Sequence, residues 1–473
     1  MEERKEKTGK LSNGTILGYG FGAMADAAAY NFYVMYALYF LTTIAGMGAG
    51  RAGIIISAAT VISSVFGLVI GPLSDNTKSR LGRRRPYILA GGILMLIGLT
   101  MFFRPVDLSG GAQFAYYLCM FIIVNLAYGA FLVPYNALGA ELTDDYDERT
   151  KLRTPATFMN CVGNIIGISL PLTVVGIFVG RGSSEGSAWN YFAIIVGAAC
   201  FLALFITFMT TKGKEMPPEK LEEERKEINP LRTFWQILKM KPFKYIIAIL
   251  VLFAIGYMVF QSGLVYYVLY CAGLTEAQYS TAMFIYVFIG MGWTVVISFI
   301  ATKMNKKNGM AFCFLISAAG MTVLYFTGVH SFAMLIVLLL IFGLGNGAYW
   351  LIIYPIVYDL AELYEYKYGK RKEGALMSLY GVIFTLSTAL GTQVLTLTMT
   401  AAGYDPSLTA QSEGTVSGIS AIVIGIPVIV FILAAICCII YPMSKKTFEK
   451  LMSELEKKRA GEKNDEEGLE RIV

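Results

Sequence analysis

Two stretches of the chain, Asn125-Leu-Ala-Tyr128-Gly-Ala-Phe-Leu-Val-Pro134-Tyr-Asn-Ala-Leu-Gly-Ala140-Glu141-Leu142 and Asn346-Gly-Ala-Tyr349-Trp-Leu-Ile-Ile-Tyr-Pro355-Ile-Val-Tyr-Asp-Leu-Ala361-Glu362-Leu363, align without a gap at an offset of 221 residues. Seven of the 18 positions are identical: Asn125/Asn346, Ala127/Ala348, Tyr128/Tyr349, Pro134/Pro355, Ala140/Ala361, Glu141/Glu362 and Leu142/Leu363. So many matches in an apolar background point to an internal repeat. Each copy runs from the middle of an apolar block to its charged end, as the closing part of a membrane-length helix does. The chain therefore reads as two related halves.

The composition agrees. Of 473 residues, 56% are hydrophobic and only 15% charged, whereas a soluble chain is about a quarter charged. An outer-membrane barrel is excluded, because its strands alternate every second residue over about ten residues. The apolar residues here form twelve continuous blocks, about 16–45, 52–72, 86–104, 113–140, 155–180, 189–211, 243–272, 278–302, 309–328, 332–358, 375–403 and 414–442. Each can cross a hydrocarbon core of roughly 30 Å as a helix. Residues 1–14 are polar and the first block is too long for a signal-peptide core, so no cleavable leader is expected. The seven cysteines all fall inside apolar blocks without CxxC spacing and read as buried structural thiols.

Of 39 Lys and Arg residues, 36 lie in the N-terminus, the loops after even-numbered blocks and the C-terminal tail. Arg51, Arg104 and Arg181 are the exceptions, and no basic residue lies deep inside a block. Positive charge marks the cytoplasmic side, so both termini are expected there. This placement accounts for the net charge of +6 without a nucleic-acid partner. The expected organisation is a six-helix half over 1–211, a solvated cytoplasmic linker with a surface helix over 212–242, a second six-helix half over 243–442, and a cytoplasmic tail, 443–473, that is disordered or surface-helical.

The loop after block two reads Gly71-Pro72-Leu-Ser74-Asp75-Asn-Thr77-Lys78-Ser79-Arg80-Leu-Gly82-Arg83-Arg84-Arg85-Pro86-Tyr87. One acid and five cations at a helix junction can bridge neighbouring helix ends by charge-assisted hydrogen bonds. Bridges that break when two halves rock would bias one conformational state. Asp75, Arg80, Arg83, Arg84, Arg85, Glu141, Asp359 and Glu362 are the candidate gate residues.

This loop resembles the signature of the glycoside–pentoside–hexuronide:cation symporters of the major facilitator superfamily, to which melibiose permease belongs. Its Gly82-Arg83-Arg84-Arg85-Pro86 form is also similar to that of sucrose–proton symporters. Tyr19-Gly20-Phe21-Gly22, the acidic-then-basic run from Tyr358-Asp359 to Glu373-Gly374, and Tyr441-Pro442 extend the resemblance over nearly the whole chain. It implies an all-α membrane protein with the major facilitator fold: twelve transmembrane helices in two pseudo-symmetric six-helix halves that rock around a central site. It implies a transporter rather than an enzyme. The family's two cation-binding aspartates of span two, however, correspond here to Ser63 and Gly67, and its arginine there to Thr60. The sugar-contacting aspartate of span four corresponds to Leu132, the lysine of span eleven to Thr385, and the span-one aspartate to Ala27, with Asp26 one position earlier. Trp350 matches the tryptophan that lines the family's sugar site.

Asp26 is the one acidic residue deep within a span, with no Lys, Arg or His in any span to pair with it. Such a residue faces a cavity or takes a proton, and is a functional candidate by default. Helical spacing puts Tyr19, Gly22, Asp26, Tyr30 and Tyr33 on one face, with Asn31 off that stripe. Asn125, Tyr128, Leu132 and Asn136 share a face of span four, Asn160 and Asn164 a face of span five, and Asn346, Trp350 and Tyr354 a face of span ten. Span seven offers Gln261 and Tyr266. Amides and tyrosine hydroxyls suit sugar hydroxyls, though each also serves as interhelical glue.

The expected activity is secondary active transport of a glycoside or small sugar by alternating access. Asp26 would couple it to protons, sodium is disfavoured, and neither cofactor nor metal is expected. A monomer in the lipid bilayer of the cell membrane is expected. The thinned charge of the spans keeps open an uncoupled sugar facilitator, a lipid-type carrier, or a membrane sensor that has lost transport. No nucleophile–base pair, metal cluster or phosphate loop suggests an enzyme.

Overall fold

The computed structural model describes residues 11–213 and 230–459, apart from 78, 80, 143–145, 370, 371, 407 and 409, together with 469 and 472. Within these residues the chain is helical and contains no strand. Its elements are α1 (Asn13–Tyr39), α2 (Ala49–Asn76), α3 (Arg85–Phe102), α4 (Gly110–Glu141), α5 (Tyr146–Asn164), α6 (Leu170–Gly180), α7 (Glu185–Thr210), α8 (Pro230–Lys239), α9 (Lys241–Tyr266), α10 (Glu276–Met304), α11 (Lys306–Thr327), α12 (Phe332–Tyr368), α13 (Glu373–Ala401), α14 (Glu413–Ser420), α15 (Ile426–Ile440) and α16 (Lys445–Arg459). π turns continue α1 (Phe40–Ile44) and α9 (Tyr267–Cys271) and join α5 to α6 and α14 to α15.

Serine opens several helices. Ser12, Ser184, Ser331, Ser412 and Ser444 each accept a hydrogen bond from the backbone N–H three residues on, which satisfies a donor that a helix start otherwise leaves open. Among the described residues, eleven helical segments are long and apolar enough to cross a membrane. α1 is the twelfth long helix; its Gly, Tyr, Asn and Asp content lowers its mean hydropathy, but 27 residues give roughly 40 Å of helix.

The twelve apolar blocks each fall on one of these segments. The tenth runs further than its block: α12 continues past 358 to Tyr368. Leu360, Ala361, Leu363, Tyr364 and Tyr366 stay buried through this extension, so a helical apolar stripe persists among the charges. The tail also gains definition. α16 buries Leu451 and Leu455 and packs on α12. Not all thiols are buried as expected. Cys200, Cys313 and Cys438 are, but Cys119 is exposed and Cys161, Cys271 and Cys437 are intermediate. An apolar thiol on the outside of a membrane helix meets lipid tails rather than water, so burial in protein is not required of it.

The chain divides into two compact units. The first comprises 1–226, 275–287 and 404–409, the second 227–274, 288–403 and 410–473. In the first unit α1 packs on α5 and α7, and α3 on α4 and α7; in the second, α9 packs on α13 and α15, and α11 on α12 and α15. These are the same four pairings by position within each set of six spans. The ends of the first spans repeat as well. Ala45 and Met47 donate to the carbonyls of Phe40 and Leu41, and Ala272 and Leu274 donate to those of Tyr267 and Val268. Gly46 and Gly273, at φ 66° and 64°, make the same left-handed turn, which only glycine enters readily.

Close approach of α1 to α5 depends on Gly163 and Gly167. A Cβ at either would collide with the α1 backbone at Met24 or Ala28. In lipid, where apolar burial gives little drive, such backbone contact supplies the packing energy.

Candidate functional site

In the first unit the site centres on α1. Asp26 is half-buried, and its Oδ1 accepts a 2.6 Å hydrogen bond from the Tyr128 hydroxyl of α4. Helical spacing explains the surround. Tyr30, one turn on from Asp26, lies 5.5 Å from Tyr128 between ring centroids, and Tyr33 lies 5.7 Å from both. The carboxylate thus sits in an aromatic wall with a single hydroxyl donor and no ion-pair partner among the described residues. Asp26, Tyr30 and Tyr33 of the stripe predicted on α1 are therefore brought together with Tyr128, whereas Tyr19 stacks on Tyr135 at 4.5 Å and Asn125 is not part of the group. Asn125 is 6% exposed and donates to the Phe121 carbonyl of its own helix, and Asn136 is exposed.

A second polar group on α1 was not singled out by spacing. Asn31 donates to the Ala27 carbonyl and, at 2.8 Å, to Oδ1 of Asn164. Asn164 in turn donates to Oδ1 of Asn160 at 3.1 Å. The i, i+4 pair on α5 is thereby tied to α1, and Asn31 is its missing partner.

In the second unit the corresponding helix α12 builds different chemistry. Tyr349 takes the place of Tyr128 in the repeat, but its hydroxyl meets the Tyr380 hydroxyl at 3.0 Å and its ring stacks on Phe253 at 3.5 Å. Trp350 is held edge-on by Phe253, Tyr257 and Phe384, at 88°, 82° and 67° between planes. Tyr354 lies 6.4 Å away at 33°. The indole remains half-exposed, so part of it is open to a ligand. Phe253/Tyr257 on α9 and Tyr380/Phe384 on α13 are i, i+4 aromatic pairs in the sequence, and only the packing of α9 and α13 brings Phe253, Tyr257 and Phe384 onto Trp350. Asn346 is half-buried on the same helix, while Gln261 and Tyr266 of α9 are buried.

The positions that depart from the resembled pattern are quiet. Thr60, Ser63 and Ser64 of α2 donate to backbone carbonyls of α2 itself, and Thr385 donates to the Gly381 carbonyl. Their hydroxyls stabilise their own turns.

Among the gate candidates, Arg83, Arg84 and Arg85 are all buried. Arg85 donates from Nε to the Phe208 carbonyl at 2.8 Å and from Nη1 to the Leu81 carbonyl at 2.7 Å, and lies 4.2 Å over the Phe208 ring. It therefore closes the negative end of α7. Asp359 pairs with Lys306 at 2.7 Å. Glu362 and Glu365 face Arg459 of α16 at 3.6 and 2.6 Å. Arg80 and the side chains of Asp75 and Glu141 lie outside the described residues.

Comparison with known proteins bears on this arrangement. Residues 18–445 match the family described as MFS/sugar transport protein. The isoprimeverose transporter of Lactiplantibacillus pentosus is 25% identical over 446 residues, covering 94% of this chain and 91% of the relative. The glucuronide carrier protein homolog of Escherichia coli (strain K12) is 24% identical over 465 residues, covering 95% and 97%. Among solved structures, a bacterial homolog of the human lysosomal transporter Spinster superposes with a TM-score of 0.68 over 92% of this chain and 97% of that one, at 15% identity.

Proposed function

The chain belongs to the MFS/sugar transport protein family, and on that premise we propose that it is a secondary active transporter that takes up a neutral glycoside together with protons. The observation that carries the reading is the division of chemistry between the units. The first holds the Asp26 carboxylate with a tyrosine donor and no ion-pair partner among the described residues; the second holds a half-exposed tryptophan in an aromatic cage. A carboxylate without a cationic partner is suited to binding and releasing a proton. An indole face suits the C–H face of a pyranose, and the hydroxyl of Tyr354 and the amide of Asn346 suit its edge.

Relatives named for isoprimeverose and glucuronide support a glycoside as cargo. The absence of Lys, Arg and His from the deep interior of the spans argues for a neutral sugar over a uronide, whose carboxylate would be desolvated without a counter-charge. In this reading both termini are cytoplasmic, the protein acts as a monomer in the cell membrane, and the arginine-rich loop biases the exchange between states. No metal or organic cofactor takes part.

The test is uptake of labelled glycosides into proteoliposomes under an imposed pH gradient. Accumulation above the external concentration, abolished by a protonophore, is the expected result. Equilibration without accumulation, at any pH, would replace coupled transport by facilitated diffusion.

A further inference from the structure

A groove of about 1140 Å³ opens in the second unit and is lined by Lys241, Lys244, Lys307, Tyr441, Ser444 and Ile440 among others, Trp350 not being one of them. Among the described residues no Asp or Glu lines it. Three helices begin around it: α9 at Lys241, α11 at Lys306 and α16 at Lys445. None carries an acidic residue in its first turn. A helix start is the positive end of the peptide dipoles, where an anion stabilises and a lysine does not. Placing lysines at three such starts around one groove concentrates unfavourable charge.

Part of that charge is offset locally. Lys306 pairs with Asp359, Lys445 lies 3.8 Å from Glu449, and Lys307 donates to the Ile439 and Tyr441 carbonyls that end α15. Lys244 has no carboxylate partner among the described residues. Tyr441, 3% exposed, is one of the residues lining the same groove, and its buried hydroxyl has no hydrogen-bond partner among the described residues.

The surroundings place the groove at a membrane boundary. Trp235 of α8, 61% exposed and six residues before Lys241, is the residue type that settles at headgroup level. Leu433, Ile436, Ile439 and Ile440 of α15 are all exposed, forming an apolar track that leads from the groove along the span. We propose that the groove binds the phosphate of an anionic phospholipid headgroup, with the acyl chains along α15. Basic pockets between spans on the cytoplasmic side recognise such headgroups. A free phosphate shares the headgroup chemistry but leaves the apolar track uncovered.

The test uses the full chain, purified in mild detergent and examined by native mass spectrometry with phosphatidylglycerol and phosphatidylcholine of equal chain length. Phosphatidylglycerol should be retained in preference. Retention should fall about fivefold per lysine removed in Lys244→Gln and further in Lys241→Gln/Lys244→Gln, and persist in Lys244→Arg. Both lysine side chains are exposed, so folding should be kept; if the double variant does not purify, Lys244→Gln against Lys244→Arg decides the question. Equal retention of the two lipids, or of phosphatidylglycerol by wild type and Lys244→Gln, overturns the proposal. Displacement of phosphatidylglycerol by millimolar inorganic phosphate also overturns it, in favour of a soluble-phosphate site.

Discussion

The Tyr128 hydroxyl donates to Oδ1 of Asp26 across 2.6 Å, joining α4 to α1. Its repeat counterpart, Tyr349, finds only another tyrosine hydroxyl, that of Tyr380. The two units thus share a scaffold but not a charge. The carboxylate is the ion-coupling element in the proposed function, and Tyr128 orients it. Asp26→Asn keeps the size and a hydrogen-bonding oxygen but fixes the neutral form. It should abolish uphill accumulation driven by a pH gradient while leaving counterflow measurable. Tyr128→Phe should impair accumulation less, by about tenfold, since a hydrogen bond to a charged group contributes about 1.5–3 kcal/mol. Accumulation by Asp26→Asn at the wild-type level would remove this residue from coupling.

Trp350 tests the sugar side. Its plane is set by four rings that meet it edge-on, those of Phe253, Tyr257, Tyr349 and Phe384, so the side chain is positioned before any ligand arrives. Trp350→Ala should weaken glycoside binding at least tenfold, and Trp350→Phe by less, because stacking uses the ring face more than the indole N–H. Isothermal titration with the transported glycoside measures both. Equal losses in the two variants would indicate that the indole only packs.

Arg85 separates fold from transport. Buried, bonded to two carbonyls and lying over Phe208, it secures the junction of α3 with the end of α7. Removing it leaves the Phe208 carbonyl without this donor. Arg85→Ala should lower stability by about 2 kcal/mol and reduce the yield of folded protein, and Arg85→Lys should restore part of both. Thermal unfolding in detergent is the measurement. A fully stable Arg85→Ala that transports poorly would instead assign Arg85 to the gate.

The spans, the repeat and the aromatic stripe of α1 were legible because each rests on local periodicity. The partners of that stripe were legible only where a residue stood out chemically. Asp26 did; Asn31 did not, because its significance depends on Asn164 lying opposite, and interhelical register is set by Gly163 and Gly167 rather than by the asparagines. The second trace of the repeat, Ala45-Gly46-Met47 against Ala272-Gly273-Leu274, was too short to notice by sequence. It is plain in the backbone bonds. In the tail, sequence leaves a disordered or a surface-helical segment open because charges dominate; the Leu451 and Leu455 pair that docks its helix is two residues in a charged run.

That docking yields a prediction in which burial should outweigh charge. Arg459 reaches Glu365 at 2.6 Å, but is itself exposed, and exposed ion pairs contribute little. Leu451 is fully buried. Arg459→Ala should leave the melting temperature nearly unchanged, whereas Leu451→Asp should release α16 and expose it to limited proteolysis. Equal protection of α16 in both variants would contradict the packing argument.

Sodium should be dispensable. A hard cation binds about six oxygen ligands, and charged carboxylates are prominent among them. The positions where the resembled family places two aspartates on span two hold Ser63 and Gly67. The Ser63 hydroxyl donates to the Thr60 carbonyl, and Thr60 and Ser64 likewise bond within α2. Asp26 alone, with one tyrosine donor directed at it, presents an acceptor already occupied by an O–H rather than an open oxygen cage. Replacing sodium by N-methylglucamine at fixed pH should therefore leave initial uptake unchanged, while acidifying the outside should raise it. A steep sodium dependence in the wild type, lost in Asp26→Asn, would show instead that the carboxylate serves a metal cation and that the tyrosine must turn away to admit it.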